Sequence, residues 1–361
     1  MTTSPVVIFG AGRTGRGLVA RIAAKGGRPV VLVDRDAALV ASLRAAGSYP
    51  VQVLGGARET ITPAGVFTLD DAAWHAQLAA ADLAFTAVVG TNLPQLGAAL
   101  APVLAGRGTP LAIITCENDT GAAATLRSAA GPAPTAVRFG EAMVLTTCLA
   151  PAVGDPPLLV RTQDLLRLPC DREAFAGDPP ALPGLEPLSR FATQLRRKVW
   201  TYNAINAVIS YLGAQRGHTL LAEASADPAI APLARQAADE CDRALCAEFG
   251  FAPAEQAVWS AGALAKFADP RIPDPITRNA GDPERKLRRD DRLVGPALLS
   301  LAHGQRPLAL AVGIRAAAAY SESGRPAPLV RCGGLAAVLE QICGLPASHP
   351  LHRLVLEQPD A

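Results

Sequence analysis

A parallel α/β domain followed by a mostly α-helical domain is the fold this sequence predicts, and three observations predict it. A short apolar strand near the start of the chain runs straight into a glycine-rich turn and a helix. Further strand-like apolar runs follow, each bounded by turn residues. Beyond residue 188 the apolar spacing changes to that of helices. The chain has 361 residues, half of them hydrophobic, which is enough for two cores. The expected boundaries are 1–188, including a proline-rich connector, and 189–361.

The first strand is Val6-Val-Ile-Phe9, and Gly10-Ala11-Gly12-Arg13-Thr14-Gly15-Arg16-Gly17 follows it at once. Each glycine has its own task. Gly10 makes the tight turn, Gly12 lets the backbone approach a pyrophosphate, and Gly15 permits close helix–strand packing. The next helix, Leu18-Val-Ala-Arg-Ile-Ala-Ala, offers free N–H groups and a positive dipole end to phosphates. The second strand, Pro29–Val33, ends in Asp34, nineteen residues after Gly15, where an acidic side chain meets a ribose 2′-hydroxyl. Together these features predict a Rossmann-like dinucleotide-binding domain. Asp34 favours NAD, because a carboxylate repels a 2′-phosphate, while the adjacent Arg35 keeps NADP possible.

Leu83–Val89 and Leu111–Thr115 read as later strands, and Val137–Glu141 as a further one. Ligands sit beyond the carboxyl ends of such strands. Gly90, Asn92, Glu117 and Asn118, at two of those ends, are therefore expected on the nicotinamide-ribose side, with loop capping as the alternative for each. Residues 150–188 carry eight prolines and two strand-like runs, Leu158–Arg161 and Leu165–Leu168. They read as an extended connector with a small hairpin layer.

Composition excludes several classes. A net charge of +2 supports no nucleic-acid partner, and no apolar run reaches membrane-spanning length, so no membrane partner is expected. The seven cysteines form no C-x-x-C pair and no metal-ligand spacing, which points to reduced thiols, a cytoplasmic protein and no metal site. The first strand begins too early to leave room for a signal peptide.

The second half is expected to hold helices over 189–212, 219–249, 253–267, 290–303, 307–320 and 332–343. The first of these carries the chemistry. With Ser189 as N-cap and Gly213 as stop, Phe191, Leu195, Val199, Tyr202, Ile205, Ile209 and Leu212 form one apolar stripe. Lys198 and Asn206 fall inside that stripe and Asn203 at its edge. Unpaired burial of such groups costs several kcal/mol, so they are either paired within the protein or face a substrate cavity. A basic stretch from Arg278 through Arg285 and Lys286 to Arg292 either binds a phosphate or carboxylate or forms ion pairs with Asp290 and Asp291.

These stretches together resemble the long-chain mannitol (polyol) dehydrogenase family, nearly end to end. The resemblance covers F-G-A-G-x-x-G-R-G, the Thr86-Ala-Val run leading to Gly90, Cys116-Glu117-Asn118, Arg197-Lys198…Asn203, Tyr211-Leu-Gly…Gly217-His218 and Arg285-Lys286-Leu…Asp291-Arg292-Leu. The family's most specific motif is K-x4-N-x2-H. It implies a zinc-independent, NAD-dependent oxidoreductase with Lys198 as general base and Asn203 as the donor to the reacting oxygen. It also implies that Arg278, Arg285 and Lys286 bind substrate anion, and that the partner is a small-molecule polyol or sugar phosphate acted on by a monomer or homodimer. The chain departs from the pattern at two places. Asn206 stands at the motif's histidine position, where it can orient substrate but cannot carry a proton in the neutral range. The family's Asp-Arg pair is absent from Leu145–Pro151. Both departures point to a divergent substrate, such as a specialised sugar phosphate or a cyclic polyol. A catalytically inactive dinucleotide-binding protein is the alternative of a different class.

Overall fold

The computed structural model describes residues 4–117 and 121–358. The chain forms two compact units, Met1–Leu195 and Arg196–Ala361. In chain order the first runs β1 (Val6–Phe9), a π-turn (Gly15–Val19) leading into α1 (Ala20–Lys25), β2 (Val30–Asp34), α2 (Ala37–Ala46), β3 (Tyr49–Val53), β4 (Arg58–Ile61) and β5 (Gly65–Thr68). Next come α3 (Ala73–Ala80), β6 (Leu83–Thr86), α4 (Leu93–Leu104), β7 (Leu111–Thr115), α5 (Ala122–Ala130) and β8 (Val137–Glu141). The short strands β9 (Cys148–Leu149), β10 (Val160–Thr162), β11 (Leu168–Asp171) and β12 (Leu185–Leu188) complete it.

β1, β2, β6 and β7 are continuous apolar runs, as strands covered on both faces should be. They form the centre of a six-stranded sheet in the order β5-β2-β1-β6-β7-β8, every neighbouring pair parallel. The order turns back at β1, which lies between β2 and β6, and there the carboxyl ends of β1 and β6 open a ligand crevice. The α/β reading of the first half agrees with this sheet.

The connector does not. Its two runs form no hairpin: β10 pairs in parallel with β3 and antiparallel with β9, in a second sheet of order β4-β3-β10-β9, and β11 pairs in parallel with β12. Alternation reveals a strand's two faces but not its partner. β3 pairs with β4 along one edge and with β10 along the other. This second sheet rests on the π-turn of the glycine-rich segment. A Cβ on Gly17 would lie 2.7 Å from Val160 Cγ1 and 3.1 Å from Cys148 Sγ.

The second unit begins inside α6 (Phe191–Lys198), which passes through a π-turn (Val199–Asn203) into α7 (Ala204–Gln215). Then follow α8 (Leu221–Ala226), α9 (Ala231–Phe249), α10 (Pro253–Phe267), α11 (Ile276–Ala280), α12 (Pro283–Lys286), α13 (Val294–Ala302), α14 (Leu308–Ala319), α15 (Pro328–Cys332), α16 (Leu335–Gln341) and α17 (Pro350–Leu356). α7 is its axis. Ile205, Val208, Ile209, Tyr211 and Leu212 are fully buried among residues of α8, α9, α11 and α14. The alanines and Gly313 of α14 allow close approach, with Val208 Cγ2 2.8 Å from where a Gly313 Cβ would lie.

Several boundaries differ from expectation: the strand expected over Leu83–Val89 ends at Thr86, and the helices expected over 290–303 and 332–343 span Val294–Ala302 and Leu335–Gln341. Arg190, at φ 53°, precedes the first helical residue, so Ser189 is not the N-cap. Gly213 is no stop: it lies within α7, where a Cβ would meet Ala224 and Ile276, and Gly217, at φ 79°, turns the chain instead. The expected helix over 219–249 is two helices, broken where Asp227 accepts from the Ala229 N–H ahead of α9. His218 and Arg216 both bond that carboxylate and hold it well below the usual range.

Gly17→Leu is expected to lower the stability of the first unit by about 1–3 kcal/mol, because the side chain must displace Val160 and Cys148. A thermal unfolding midpoint equal to wild type would show that the second sheet does not rest on this turn.

Candidate functional site

In the first unit the crevice at the end of β1 is a pocket of about 340 Å³ walled by Gly10, Gly12, Asp34, Arg35, Val88 and Asn92 among others. Gly10 stands at φ 99°, and a Cβ there would sit 2.3 Å from Ala87 O, so only glycine fits. Gly12 has open space beside it, whereas a Cβ on Gly15 would strike the Gly10 carbonyl. Asp34 fixes the turn: Oδ2 accepts from the Ala11 N–H at 2.6 Å and Oδ1 from the Asp36 N–H at 2.9 Å. Across the mouth, Arg35 Nη1 donates to Asn92 Oδ1 at 2.8 Å. Arg13 is exposed and Thr14 half-buried at the helix start, and Gly90 opens the short helical turn that ends in Asn92.

Glu117 is engaged beneath the pocket. Its carboxylate accepts from Thr86 Oγ1 at 2.8 Å and from the Val88 N–H at 3.0 Å, tying the end of β7 to the segment after β6. Burial raises its pKa, and these bonds oppose the rise. Asn118 lies outside the described residues. Sequence reasoning gave no role to Arg16, whose buried guanidinium donates to Ala11 O and to Leu158 O, both at 2.6 Å. The R in F-G-A-G-x-x-G-R-G was its signal.

In the second unit the three polar groups of the α6–α7 helix share a face because of the π-turn. In a regular α-helix, residues 198 and 203 would stand about 140° apart. A π-turn accommodates one extra residue, so five positions do the work of four and the separation falls to about 40°. Asn206 then lies about 20° from Lys198, as i and i+7 do. The uninterrupted stripe expected from sequence is corrected to two segments joined by this turn.

Lys198 is 5% exposed. Burial pushes its amine down to about 7, Arg292 and Lys266 push the same way, and Asp291 opposes them. Lys286 behaves alike: burial, then Arg292 and Arg285, bring it to about 7 against Asp282 and Asp291. Its Nζ donates to Asn279 O and lies 5.8 Å from the centre of the Tyr211 ring. Asn279 also ties in Asn206, whose Nδ2 donates to Asn279 Oδ1 at 3.1 Å. Asn203 is half-buried, and its side-chain amide bonds no other described residue. Asp291 holds Arg292 at 2.7 Å, with Arg285 Nη1 at 3.6 Å. Asp282 binds Arg285 at 2.7 Å, and Arg278 Nε donates to Asp274 at 2.7 Å.

The structure therefore gathers Lys198, Lys286 and Arg292 around Asp291, and links Lys286 to Asn206 through Asn279. Arg278 and Arg285 are ion-paired, and Asn279, Arg292 and Tyr211 are the residues that sequence reasoning left unassigned. Tyr211 and Arg292 stood in the resembling stretches. Asn279 had no signal, because its backbone carbonyl serves Lys286 and its side-chain oxygen meets an Asn206 that is distant in sequence. Among the described residues no cluster of His, Cys, Asp and Glu could hold a metal ion.

Comparison with known proteins gives a consistent picture. Residues 4–138 match the sequence profile described as the mannitol dehydrogenase Rossmann domain, and residues 192–327 match the mannitol dehydrogenase C-terminal domain. A mannitol-1-phosphate 5-dehydrogenase of Brevibacillus brevis is 33% identical over 98% of this chain and 96% of its own. One from Arthrobacter sp. is 30% identical over 97% and 96%. In fold, the chain is similar to Pseudomonas fluorescens mannitol 2-dehydrogenase, solved as a ternary complex with NAD and D-mannitol, with a TM-score of 0.77 and 15% identity over 98% of this chain and 90% of that one. A D-sorbitol dehydrogenase in substrate-free form gives a TM-score of 0.73, with 13% identity over 98% and 92%.

The buried amines make stability depend on pH. An unfolded lysine titrates near 10.4, so between about 7 and 10.4 the unfolded chain binds more protons and stability rises with pH. Lys198→Met is expected to stabilise the chain by about 1–3 kcal/mol at pH 7 and to flatten the rise between pH 7 and 9. Urea unfolding at the two pH values measures it, and an unchanged slope would mean that Lys198 is charged when folded.

Proposed function

The chain belongs to the mannitol dehydrogenase family, and on that premise we propose that it is a zinc-independent, NAD-dependent dehydrogenase of a polyol phosphate or sugar phosphate, of the mannitol 1-phosphate and fructose 6-phosphate kind. The observation that carries this reading is a buried lysine amine, lowered to about 7, on the same helix face as Asn203 and Asn206.

The chemistry fits the residues. Bound NAD supplies the two-electron acceptor for the hydride leaving the carbinol carbon. The neutral amine of Lys198 takes the hydroxyl proton and becomes an ammonium, and in the reverse direction the ammonium returns it to the ketone oxygen. Asn203 donates an N–H to that oxygen and stabilises its developing negative charge. Asn206, restrained by Asn279, orients the neighbouring part of the substrate. Arg278, Arg285 and Lys286 are the groups that would meet a phosphate, the arginines as permanent cations and Lys286 as a hydrogen-bond donor. The open space beside Gly12 suits a pyrophosphate, and Asp34 at the pocket wall favours a free ribose 2′-hydroxyl, hence NAD over NADP. The seven cysteines form no disulfide, which suits a reducing cytoplasm.

A second reading, an unphosphorylated or cyclic polyol as substrate, is favoured by Asn206 at the motif's histidine position. A panel of polyols, each beside its phosphate ester and with NAD or NADP, decides between the two by the absorbance of reduced nicotinamide. The first reading expects the phosphate ester with NAD to give the highest kcat/KM. Lys198→Ala is expected to lower kcat by about 10³-fold or more while leaving NAD affinity unchanged. In the wild type, oxidation rises with pH through about 7 as Lys198 loses its proton, and reduction falls across the same range. A Lys198→Ala enzyme retaining most of its kcat would remove the base from the mechanism.

A further inference from the structure

The π-turn that aligns Lys198 with Asn203 is a local interruption of the helix, and such interruptions persist where surrounding contacts over-determine them. One contact reaches directly into it. Gln256 of α10 is fully buried, and its Nε2 donates to Oγ1 of Thr201, the fully buried central residue of the turn, at 3.1 Å. The same Nε2 donates to Asp242 Oδ1 at 2.7 Å, while Oε1 accepts from Arg197 Nε at 2.6 Å. The orientation of this carboxamide is dictated by its neighbours. A guanidinium can only donate, so the amide oxygen must face Arg197, and both amide hydrogens are then directed at Thr201 and Asp242.

The outer groups are held in turn. Asp242 accepts from Ser260 Oγ at 2.5 Å, one turn further along α10. The Arg197 guanidinium lies 4.5 Å from the Phe251 ring centre and 4.9 Å from that of Trp259, and its Nη1 donates to Glu255 at 2.8 Å. The clamp therefore has one end in the turn and the other in a network spanning α9 and α10. Of its members only Arg197 and Thr201 fall within the resembling stretches, and the K-x4-N-x2-H motif specifies neither.

We propose that Gln256 is a positioning residue for the reaction: by bonding Thr201 inside the π-turn it holds Lys198 and Asn203 on one helix face. The kinetic part of the inference rests on the dehydrogenase reading. The structural part does not.

The test uses the full chain carrying Thr201→Val, which keeps the volume and removes the acceptor, beside Thr201→Ser, which keeps the hydroxyl. Both leave the bonds of Gln256 to Arg197 and Asp242 in place, so the fold is spared the unpaired buried charges that Gln256→Leu would create. With mannitol 1-phosphate and NAD, Thr201→Val is expected to lower kcat by about 10- to 100-fold with the KM for NAD within about twofold, because misplacement near the reacting atoms costs rate rather than cofactor binding. Thr201→Ser is expected within about threefold of wild type. Hydrogen exchange of the amides of residues 199–204, read by mass spectrometry, is expected to accelerate about tenfold in Thr201→Val alone. Equal behaviour of the two variants, whether both active or both impaired, would overturn the proposal. A wild-type protein that oxidises no polyol would refute the dehydrogenase reading, and the exchange rates would still decide the clamp.

Discussion

Desolvation of the Lys198 amine is the constraint on which the second unit depends. Removing an ammonium from water costs several kcal/mol even after relaxation, and the cost is smallest when the amine gives up its proton. The neighbourhood favours that outcome: Arg292 and Lys266 add like charge, and Asp291, which could stabilise the ammonium, is itself bonded to Arg292 and faced by Arg285. The cost is offset by the packing of α7, which follows Lys198 across the π-turn. Ile205, Val208, Ile209 and Leu212 each contribute about 1.5–3 kcal/mol when fully buried, enough together to offset one awkward amine.

A second constraint follows from helix geometry. Spacings of five and then three residues do not fall on one face of a regular α-helix, but they do when a π-turn occupies the first interval. The α6–α7 helix places its π-turn over Val199–Asn203, between Lys198 and α7. The motif spacing and the turn are thus two descriptions of one requirement of the proposed reaction, that a base and a hydrogen-bond donor reach the same oxygen.

Much of this was legible in the residues. The glycine turn, Asp34 and the continuous apolar strands specify the first unit because each reflects local chemistry: a positive φ at Gly10, a steric limit at Gly15, a strand covered on both faces. Lys198 was conspicuous as a cation in an apolar stripe. What escaped were features fixed by distant partners. β10 pairs with β3, more than a hundred positions away, and no alternation pattern names that edge. Gly213 reads as a helix stop by propensity, yet tight packing against Ala224 and Ile276 keeps it inside α7. Asn279 acts on Lys286 through a carbonyl that every residue possesses. The π-turn itself is invisible to a search that assumes 100° per residue, although the five-residue interval between Lys198 and Asn203 contained the clue.

The proposed chemistry depends on the protonation state of one amine, and that can be observed without turnover. Lysine labelled with ¹³C at Cε, followed by NMR as pH is varied and assigned by comparison with Lys198→Met, gives the titration of Lys198 directly. A midpoint near 7 is the result expected from its burial beside Arg292. A midpoint near the ordinary lysine value of about 10.4 would mean that the amine is hydrated or fully paired, and would contradict its assignment as the base.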